Sequence, residues 1–352
     1  MFLSAGVAFE ANVEALNLVE TTGNYSRHRK IPYIWRDQET KEFRVIYVPA
    51  ISGESLAHAY QELLVEEATR IYGREEKVPV CPDCKTGEFF KSMNKAHLRG
   101  KFEGDPSKTS PDNIEKEIIK KCLVEDIGGF LYAEKPPIKR SSSFQFSYAV
   151  PVKTTALLST VEPQLHARHA RMIEVKKKSQ KEDESTEGEV QNKERKAEEQ
   201  MLYYVEAGTA IYGFVFNLDL EAIGKSSYDG KPVINDEEIK KRKNVAISAF
   251  ARLVSSRQFG AKLSRFFPAG DIVSLYVAVT SSPFSVTSPI YETAALTTAK
   301  RLNVISNIFK EEVRFYLYES LRSVEDLKKF GFVKISETPE EAILHLLEGE
   351  KK

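Results

Sequence analysis

Four predicted strands, three of them with alternating side chains, and two amphipathic helical segments constrain the fold of this chain most. Residues 2–10 place Leu3, Ala5 and Val7 on one face and small or polar residues on the other, which predicts a half-buried strand. Strands are predicted at 2–10, 143–150, 208–220 and 272–279, and helices are predicted to begin after Ser52 and Asn235. This βαββαβ order is that of ferredoxin-like domains, which include RNA-recognition domains. We therefore predict an α+β fold with a ferredoxin-like core.

Length and composition are typical of a globular protein with one or two domains. The chain has 352 residues, of which 41% are hydrophobic and 29% are charged. It contains no apolar run long enough to span a bilayer, and its N-terminus lacks the basic segment of a signal peptide. Three cysteines are too few for a disulfide framework. We expect a cytoplasmic protein that does not contact a membrane.

The net charge is zero, because 51 basic residues balance 51 acidic residues, but the charges are segregated along the chain. No Asp or Glu occurs between Thr21 and Arg36. The range 239–270 contains eight Lys or Arg residues and no acid, and the range 135–161 contains four. This segregation favours a polyanion as the partner. The alternative is that each run forms an ordinary solvated face.

A basic loop precedes a strand-to-helix turn near the N-terminus. The loop is predicted at 23–30, a short strand at 43–48, and Ser52 is the predicted N-cap of a helix that ends at Gly73. A helix N-terminus beside arginine side chains suits a phosphate chain. The alternative is a surface loop followed by a capped core helix. His58 lies off the apolar stripe of this helix, so we expect it at the surface.

The segment 259–268 is a second candidate for phosphate binding. Gly260 permits a close backbone approach, and Lys262, Ser264 and Arg265 supply hydrogen-bond donors. The flanking phenylalanines suit stacking on bases. We expect this segment to form a basic loop that faces nucleic acid.

His166 lies in another acid-free range, 163–173, and has two interpretations. It could act as an acid or base in RNA cleavage, or it could contact a phosphate or stack on a base. Contact is the better interpretation, because no catalytic partner is evident in the sequence. The chain also has no nucleophile elbow, P-loop or dinucleotide-binding fingerprint. We therefore predict no enzymatic activity.

Cys81 and Cys84 form a CxxC pair that resembles half of a zinc knuckle. Their two thiolates would fill half of a tetrahedral zinc site. Cys122 and His97 are the evident candidates for the other ligands. The sequence thus admits a structural zinc ion, while the expected function requires no cofactor.

Four segments together resemble the crRNA-binding backbone subunit of the archaeal type I-A CRISPR Cascade complex. This family is the DevR-type branch of the RAMP superfamily. The segments are 24–30, 48–61, 126–133 and 259–268, and the resemblance extends from the first strand to about Val279. It implies an RRM-like palm with inserted elements. The implied palm comprises 1–72, 142–152 and 206–282, with a helical finger at 73–141, a flexible thumb-like insertion at 153–205 and a C-terminal extension at 283–352 that packs on the palm.

The resemblance implies a non-catalytic subunit that forms a helical filament with copies of itself along the guide crRNA. Other Cascade subunits would be partners, and target DNA would be contacted through the guide. Backbone contacts would hold the guide phosphates and leave its bases free to pair. The implied RNA-binding residues are Asn24, Arg27, His28, Arg29, Ser52, Gly53, His58, Lys139, Arg140, Ser141, His166, Gly260, Lys262, Ser264 and Arg265.

Two other hypotheses remain open from the sequence. One is a metal-independent endoribonuclease of the same superfamily that processes CRISPR RNA, with His28 or His166 as general acid or base. The other is a metal-stabilised scaffold that binds only protein.

Overall fold

The computed structural model of the chain describes residues 1–37, 39–73, 78–168 and 201–349. The charged range 174–200, which the sequence predicts to be a solvated loop, lies outside the described residues. The same holds for residues 169–200 of the thumb-like range.

The described residues form an α+β fold, as predicted. The strands are β1 Phe2–Glu14, β2 Leu18–Thr22, β3 Tyr25–His28, β4 Lys30–Arg36, β5 Phe43–Pro49, β6 Phe130–Tyr132, β7 Ile138–Arg140, β8 Phe144–Phe146, β9 Val150–Pro151, β10 Thr160–Arg168, β11 Met201–Asp219, β12 Ile272–Thr280, β13 Arg314–Glu319 and β14 Val333–Ile335. The α-helices are α1 Gly53–Tyr72, α2 Pro82–Lys85, α3 Lys95–Arg99, α4 Pro111–Lys121, α5 Leu123–Gly128, α6 Asp236–Ser256, α7 Leu263–Phe266, α8 Ala294–Phe309 and α9 Pro339–Gly349. Among the described helices, none combines the length and apolar character needed to cross a membrane.

A ten-stranded sheet forms the centre of the fold. Its main path is β14-β13-β12-β1-β11-β3-β2, and β8, β9 and β10 also pair with β11. β1 is antiparallel to both of its neighbours, with Phe2 opposite Asp219 of β11 and Thr280 of β12. β11 is antiparallel to β8. Strands thus occur at the four predicted positions, and they lie side by side in the order β12-β1-β11-β8.

The prediction that β1 is half-buried is wrong, because both of its faces are covered. On the small-residue face, the Val286 N–H donates to Ser4 Oγ at 3.0 Å. The Tyr276 ring lies over Gly6 so closely that a Cβ there would come within 2.3 Å of it. The small residues of β1 therefore accommodate the chain's own C-terminal part.

Helices α1 and α6 pack together on the other face of the sheet. The predicted caps of α1 are confirmed: Ser52 Oγ accepts from the Ser55 N–H at 3.2 Å, and Gly73 adopts a left-handed conformation at φ 72°. Tyr60 is fully buried between the helices, and its hydroxyl donates to the Ala246 carbonyl oxygen at 2.9 Å. Burial of each large apolar side chain here stabilises the fold by about 1.5–3 kcal/mol.

The prediction of a basic loop at 23–30 is wrong. Most of this range forms β3 and the start of β4. β3 pairs with β2 and β11. The predicted strand at 43–48 is confirmed as β5, but it pairs only with β4 in a separate two-stranded sheet. We call this sheet the β4–β5 hairpin. Four large apolar side chains lie on its outer face and are 62–73% exposed: Ile34, Phe43, Val45 and Tyr47.

A buried ionic network joins the inserted helices to the sheet and α6. Asp126, in α5, accepts hydrogen bonds from Arg140 Nη2 at 2.5 Å, Arg242 Nη1 at 2.9 Å and the Gly224 N–H at 3.0 Å. Glu115 of α4 accepts from Arg140 Nη1 at 3.1 Å. Since buried charges are costly unless they are paired and hydrogen-bonded, this network fixes α4 and α5 against the rest of the fold.

Candidate nucleic-acid interface

Asn17, between β1 and β2, connects two of the predicted contacts. Its Oδ1 accepts from Arg29 Nε at 2.8 Å and from the Ser52 N–H at 2.9 Å. The Ser52 side chain is buried and caps α1, so its predicted place on the RNA surface is wrong. Gly53 is half-exposed, and a Cβ there would lie 2.7 Å from the Phe146 carbonyl oxygen. The sequence does not reveal the role of Asn17, because that role depends on partners that are distant in sequence.

The predicted surface position of His28 is also wrong. Its side chain is buried, with Nε2 2.7 Å from Glu14 Oε1 and Nδ1 2.9 Å from the Arg29 carbonyl oxygen. Burial lowers the pKa of His28, but the hydrogen bond and charge of Glu14 outweigh it, so the net shift is upward. His28 is therefore a buried residue whose pairing with Glu14 positions β3, and it does not face solvent.

The predicted basic loop at 259–268 packs against the link that contains Asn17. The Ala261 N–H donates to the Leu16 carbonyl oxygen at 2.8 Å. Gly260 has φ 88°, and a Cβ there would lie 2.6 Å from the same oxygen. The close approach predicted at Gly260 is thus made to the chain itself. It leaves Lys262, Ser264 and Arg265 exposed.

Cationic and aromatic side chains lie on both faces of the sheet where β3, β10 and β11 meet, because the consecutive residues Tyr203 and Tyr204 of β11 point to opposite faces. Arg265 Nη1 donates to the Tyr203 hydroxyl at 2.8 Å, and the His166 ring stacks on Tyr203 with centroids 5.2 Å apart. Tyr25 of β3 packs on Tyr204, with ring centroids 5.9 Å apart. Exposed aromatic rings suit base stacking, and arginines suit phosphate.

Further arginines extend this region. The Arg27 guanidinium lies 5.9 Å from the centroid of the Tyr25 ring, and that of Arg29 lies 5.9 Å from the centroid of the Tyr148 ring. Asn24 is exposed beside them, and its carbonyl oxygen accepts from the Tyr204 N–H at 2.7 Å. We call the whole set the basic–aromatic surface: Asn24, Tyr25, Arg27, Arg29, Tyr148, His166, Tyr203, Tyr204, Lys262, Ser264 and Arg265.

The predicted surface position of Arg140 is wrong, because its guanidinium is buried against Asp126 and Glu115. The acid-free range 239–270 is likewise not uniformly available to a polyanion. Within it, Arg242 pairs with Asp126, and Arg252 pairs with Glu67. Basic residues that are segregated in sequence thus meet acidic residues from other segments in the fold.

Three other predicted contacts are exposed but are not joined to the basic–aromatic surface. His58 lies on α1, where its ring is 5.1 Å from that of Phe89. Lys139 and Ser141 flank the buried Arg140 in and after β7. Within the described ranges, no hydrogen bond, ion pair or ring contact links these three side chains to the surface.

The structure brings Cys122 to the CxxC pair and leaves His97 elsewhere. The Sγ atoms of Cys81, Cys84 and Cys122 all lie within 4.8 Å of one another. His97 stacks instead on Phe90, with ring centroids 3.8 Å apart. Of the two extra ligands considered from the sequence, only the cysteine lies in this cluster.

Comparison with known proteins supports the resemblance. The family model described as CRISPR-associated negative auto-regulator DevR/Csa2 matches residues 5–299. The CRISPR-associated protein Cas7/Csa2 1 of Saccharolobus solfataricus is 33% identical over 331 residues, covering 92% of this chain and 95% of that protein. The aCascade subunit Cas7/Csa2 2 of the same organism is 32% identical over 288 residues, or 80% of each chain.

The fold also has a solved counterpart. A chain from a pre-nicking CRISPR RNA-guided surveillance complex superimposes with a TM-score of 0.51 at 10% identity, over 99% of this chain and 100% of that one. At this identity the match concerns the fold alone. The match to the family model and the identity to the two relatives over most of their length show that the chain belongs to the DevR/Csa2 family of CRISPR-associated proteins.

Proposed function

We propose that this protein is a non-catalytic subunit of an archaeal type I-A Cascade complex that binds the guide crRNA. The observation that carries the proposal is the basic–aromatic surface, which places arginines beside exposed or half-exposed aromatic rings around β3 and the adjoining end of β11. Membership of the DevR/Csa2 family and the name of the 32% identical aCascade subunit support it. No cofactor is needed for such binding.

The proposed chemistry is recognition of the RNA backbone. Arg27, Arg29, Lys262 and Arg265 would neutralise phosphates, and the tyrosines would stack on bases or riboses. Phosphate contacts carry no sequence information, so one surface can hold guides of any sequence. The bases that are not stacked on the protein remain available to pair with target DNA.

We also propose that the core is a ferredoxin-like palm. The sheet order β12-β1-β11-β8 and the antiparallel pairing of each neighbouring pair are those of a βαββαβ unit, with α1 and α6 as its two helices. The finger, thumb-like and C-terminal ranges inferred from the sequence remain part of this proposal. The basic–aromatic surface then lies at the edge of the palm.

Association of copies along the RNA is a further part of the proposal. β4 follows β3 after the single residue Arg29, so the β4–β5 hairpin continues directly from the RNA-facing edge. Its outer face exposes Phe43, Val45 and Tyr47, and contiguous apolar residues of this kind mark protein contacts. We assign this face to a neighbouring copy on the same guide.

The arrangement of His28 supports binding over cleavage. A general acid or base must reach the proton that it transfers, and both ring nitrogens of His28 are occupied by Glu14 and the Arg29 carbonyl group. His166 is half-buried and stacked on Tyr203, and no acidic or basic side chain among the described residues is hydrogen-bonded to it. This environment suits a contact residue.

The test is a fluorescence titration of labelled guide-length RNA with a variant in which Arg27, Arg29, Lys262 and Arg265 are changed to Ala. We expect weaker binding and a slope of log K against log salt reduced by about 3, since each phosphate contact on a single strand contributes about 0.7. The matched control changes four exposed lysines elsewhere, with the same loss of charge: Lys85, Lys95, Lys240 and Lys300.

Equal affinities and salt slopes for the two quadruple variants would refute the proposed surface. A gel of repeat RNA incubated with the wild-type protein separates binding from processing. Cleavage at one fixed position without metal, abolished by His166→Ala, would instead establish the endoribonuclease hypothesis.

A further inference from the structure

All three cysteines of the chain meet at one buried position. Cys81 is the N-cap residue of α2 and Cys84 lies within that helix, whereas Cys122 lies 41 residues beyond Cys81. The Cys81 N–H points at Cys122 Sγ at 3.4 Å. Packing of cysteines as small apolar residues of the core does not require three thiols to be adjacent, so the clustering itself requires an explanation.

The local backbone is shaped to bring the third thiol into the cluster. Cys122 has an extended conformation, with φ −138° and ψ 113°, and separates α4 from α5. The break at Cys122 divides this part of the chain into two helices. The break turns the Cys122 side chain towards α2 and allows α5 to continue in a new direction.

The separations fit a tetrahedral zinc ion. Zinc at about 2.3 Å from each thiolate sulfur places neighbouring sulfurs about 3.8 Å apart. The three Sγ atoms already lie within 4.8 Å of one another, so a small contraction suffices. The thiols are also buried, as is usual for structural sites that exclude water.

Glu125 supplies a suitable fourth ligand. It is buried in α5, three residues after Cys122, and its Oε1 lies 3.6 Å from Cys84 Sγ. With zinc–oxygen distances of about 2.0 Å, a sulfur and an oxygen ligand are about 3.5 Å apart in a tetrahedral site. Among the described residues, neither a histidine nor Glu125 lies within 4.8 Å of all three sulfurs, so the Glu125 carboxylate must move closer to Cys81 and Cys122 to bind the same ion.

A buried lysine stands next to this ligand set. Lys101 is 0% exposed, and its Nζ lies 2.6 Å from Asp83 Oδ2 and 3.4 Å from Glu125 Oε1. Three thiolates and one carboxylate around Zn²⁺ carry a net charge of −2. A buried ammonium group beside the carboxylate offsets part of this charge, because the favourable interaction is poorly screened there.

We propose that Cys81, Cys84 and Cys122 bind a structural Zn²⁺ ion, with Glu125 as the fourth ligand and Lys101 as its buried counter-charge. The ion joins the segment that follows α1 to the junction of α4 and α5. Four protein ligands leave no open position, so the site stabilises the inserted helices and performs no chemistry.

The test is the metal content of the full-length protein, measured by plasma mass spectrometry after expression in zinc-supplemented medium. We expect one zinc ion per chain in the wild type, and less than a tenth of that in Cys84→Ser or Cys122→Ser. Lys85→Ala, an exposed change next to Cys84, is the matched control and should retain its zinc. Wild-type protein with no zinc, or with a disulfide between two of these cysteines, would overturn the proposal.

A second measurement does not depend on the stability of the variants. Co²⁺ titrated into metal-stripped wild-type protein should produce the visible absorption bands of a tetrahedral thiolate site, with one equivalent bound. Glu125→Gln should change the position of those bands, because an anionic carboxylate ligand is replaced by a neutral amide. Unchanged bands would remove Glu125 from the ligand set, and absent bands would refute the site as a whole.

Discussion

The substitution Asp126→Asn tests whether the buried ionic network holds the inserted helices in place. It keeps the shape of the side chain but removes the charge that pairs with Arg140 and Arg242. Two guanidinium groups then remain buried, with Glu115 and Glu238 as their only acidic partners among the described residues. Breaking a buried ion pair from one side costs about 3–5 kcal/mol.

The expected shift in melting temperature follows from the size of the chain. At about 2.1 cal/mol/K per residue, the 352 residues have an unfolding entropy of about 0.7 kcal/mol/K if they melt together. A loss of about 3–5 kcal/mol therefore lowers Tm by about 4–7 °C. Differential scanning calorimetry at neutral pH measures this shift directly.

The matched control is Glu237→Gln, which removes one exposed carboxylate whose only described partner is Lys241. An exposed pair contributes about 0.2–1 kcal/mol, so its Tm should fall by no more than about 1 °C. If Asp126→Asn melts within that same range, the network does not carry the stability that its burial implies, and the reasoning is refuted.

Three further predictions concern other parts of the molecule. Because the pKa of His28 is raised, its pairing with Glu14 stabilises the fold fully below pH 6.5 and is lost as pH rises through the raised value, and because the pKa of Glu14 is lowered, the contribution of Glu14 is lost as pH falls below 4.5. Denaturant titrations should therefore show that His28→Gln costs about 3–5 kcal/mol near pH 6 and less in alkali. An equal cost at both pH values would contradict this. Gly260→Ala should destabilise the fold more than Gly230→Ala, because both glycines have positive φ but only Gly260 packs against Leu16. The expected loss in the free energy of unfolding is about 1–2 kcal/mol at Gly230 and more at Gly260, and the same urea midpoint for both variants would argue against the contact. Tyr47→Ser combined with Phe43→Ser should abolish the assembly of several copies on long RNA, measured by sedimentation velocity, and should leave the affinity for a short RNA unchanged. Tyr228→Ser changes an exposed tyrosine elsewhere and is the control, and full assembly of the double variant would exclude the hairpin face as the contact.

The parts of the fold that the sequence predicted well are those determined locally. Ser52 and Gly73 mark the ends of α1 because capping depends on residues within one turn. His58 was placed at the surface from its position relative to the apolar stripe alone, and it is exposed. The α+β class followed from periodicities within single segments.

The errors share a different physical origin. His28 and Arg140 were assigned to the RNA-binding surface through the family resemblance, yet each is paired with carboxylates from other segments: Glu14 for His28, and Glu115 and Asp126 for Arg140. A local sequence pattern does not reveal an acidic partner that is distant in sequence and becomes a neighbour only in the folded chain. For the same reason, Asn17 and Tyr203 were missed, since their roles come from long-range hydrogen bonds.

Arg29 occupies the single position between β3 and β4, and both its N–H and its carbonyl oxygen make backbone hydrogen bonds. Its N–H donates to the Asn17 carbonyl oxygen at 2.8 Å, and its own carbonyl oxygen accepts from the Ala50 N–H at 3.0 Å. The two ends of the β4–β5 hairpin are thereby tied to one residue, whose side chain belongs to the basic–aromatic surface. In the filament proposed above, the tilt of the hairpin would set the rise from one copy to the next. Arg29 would then couple the pitch of the helix of subunits to the binding of guide RNA, so that the RNA would set the spacing between neighbouring subunits.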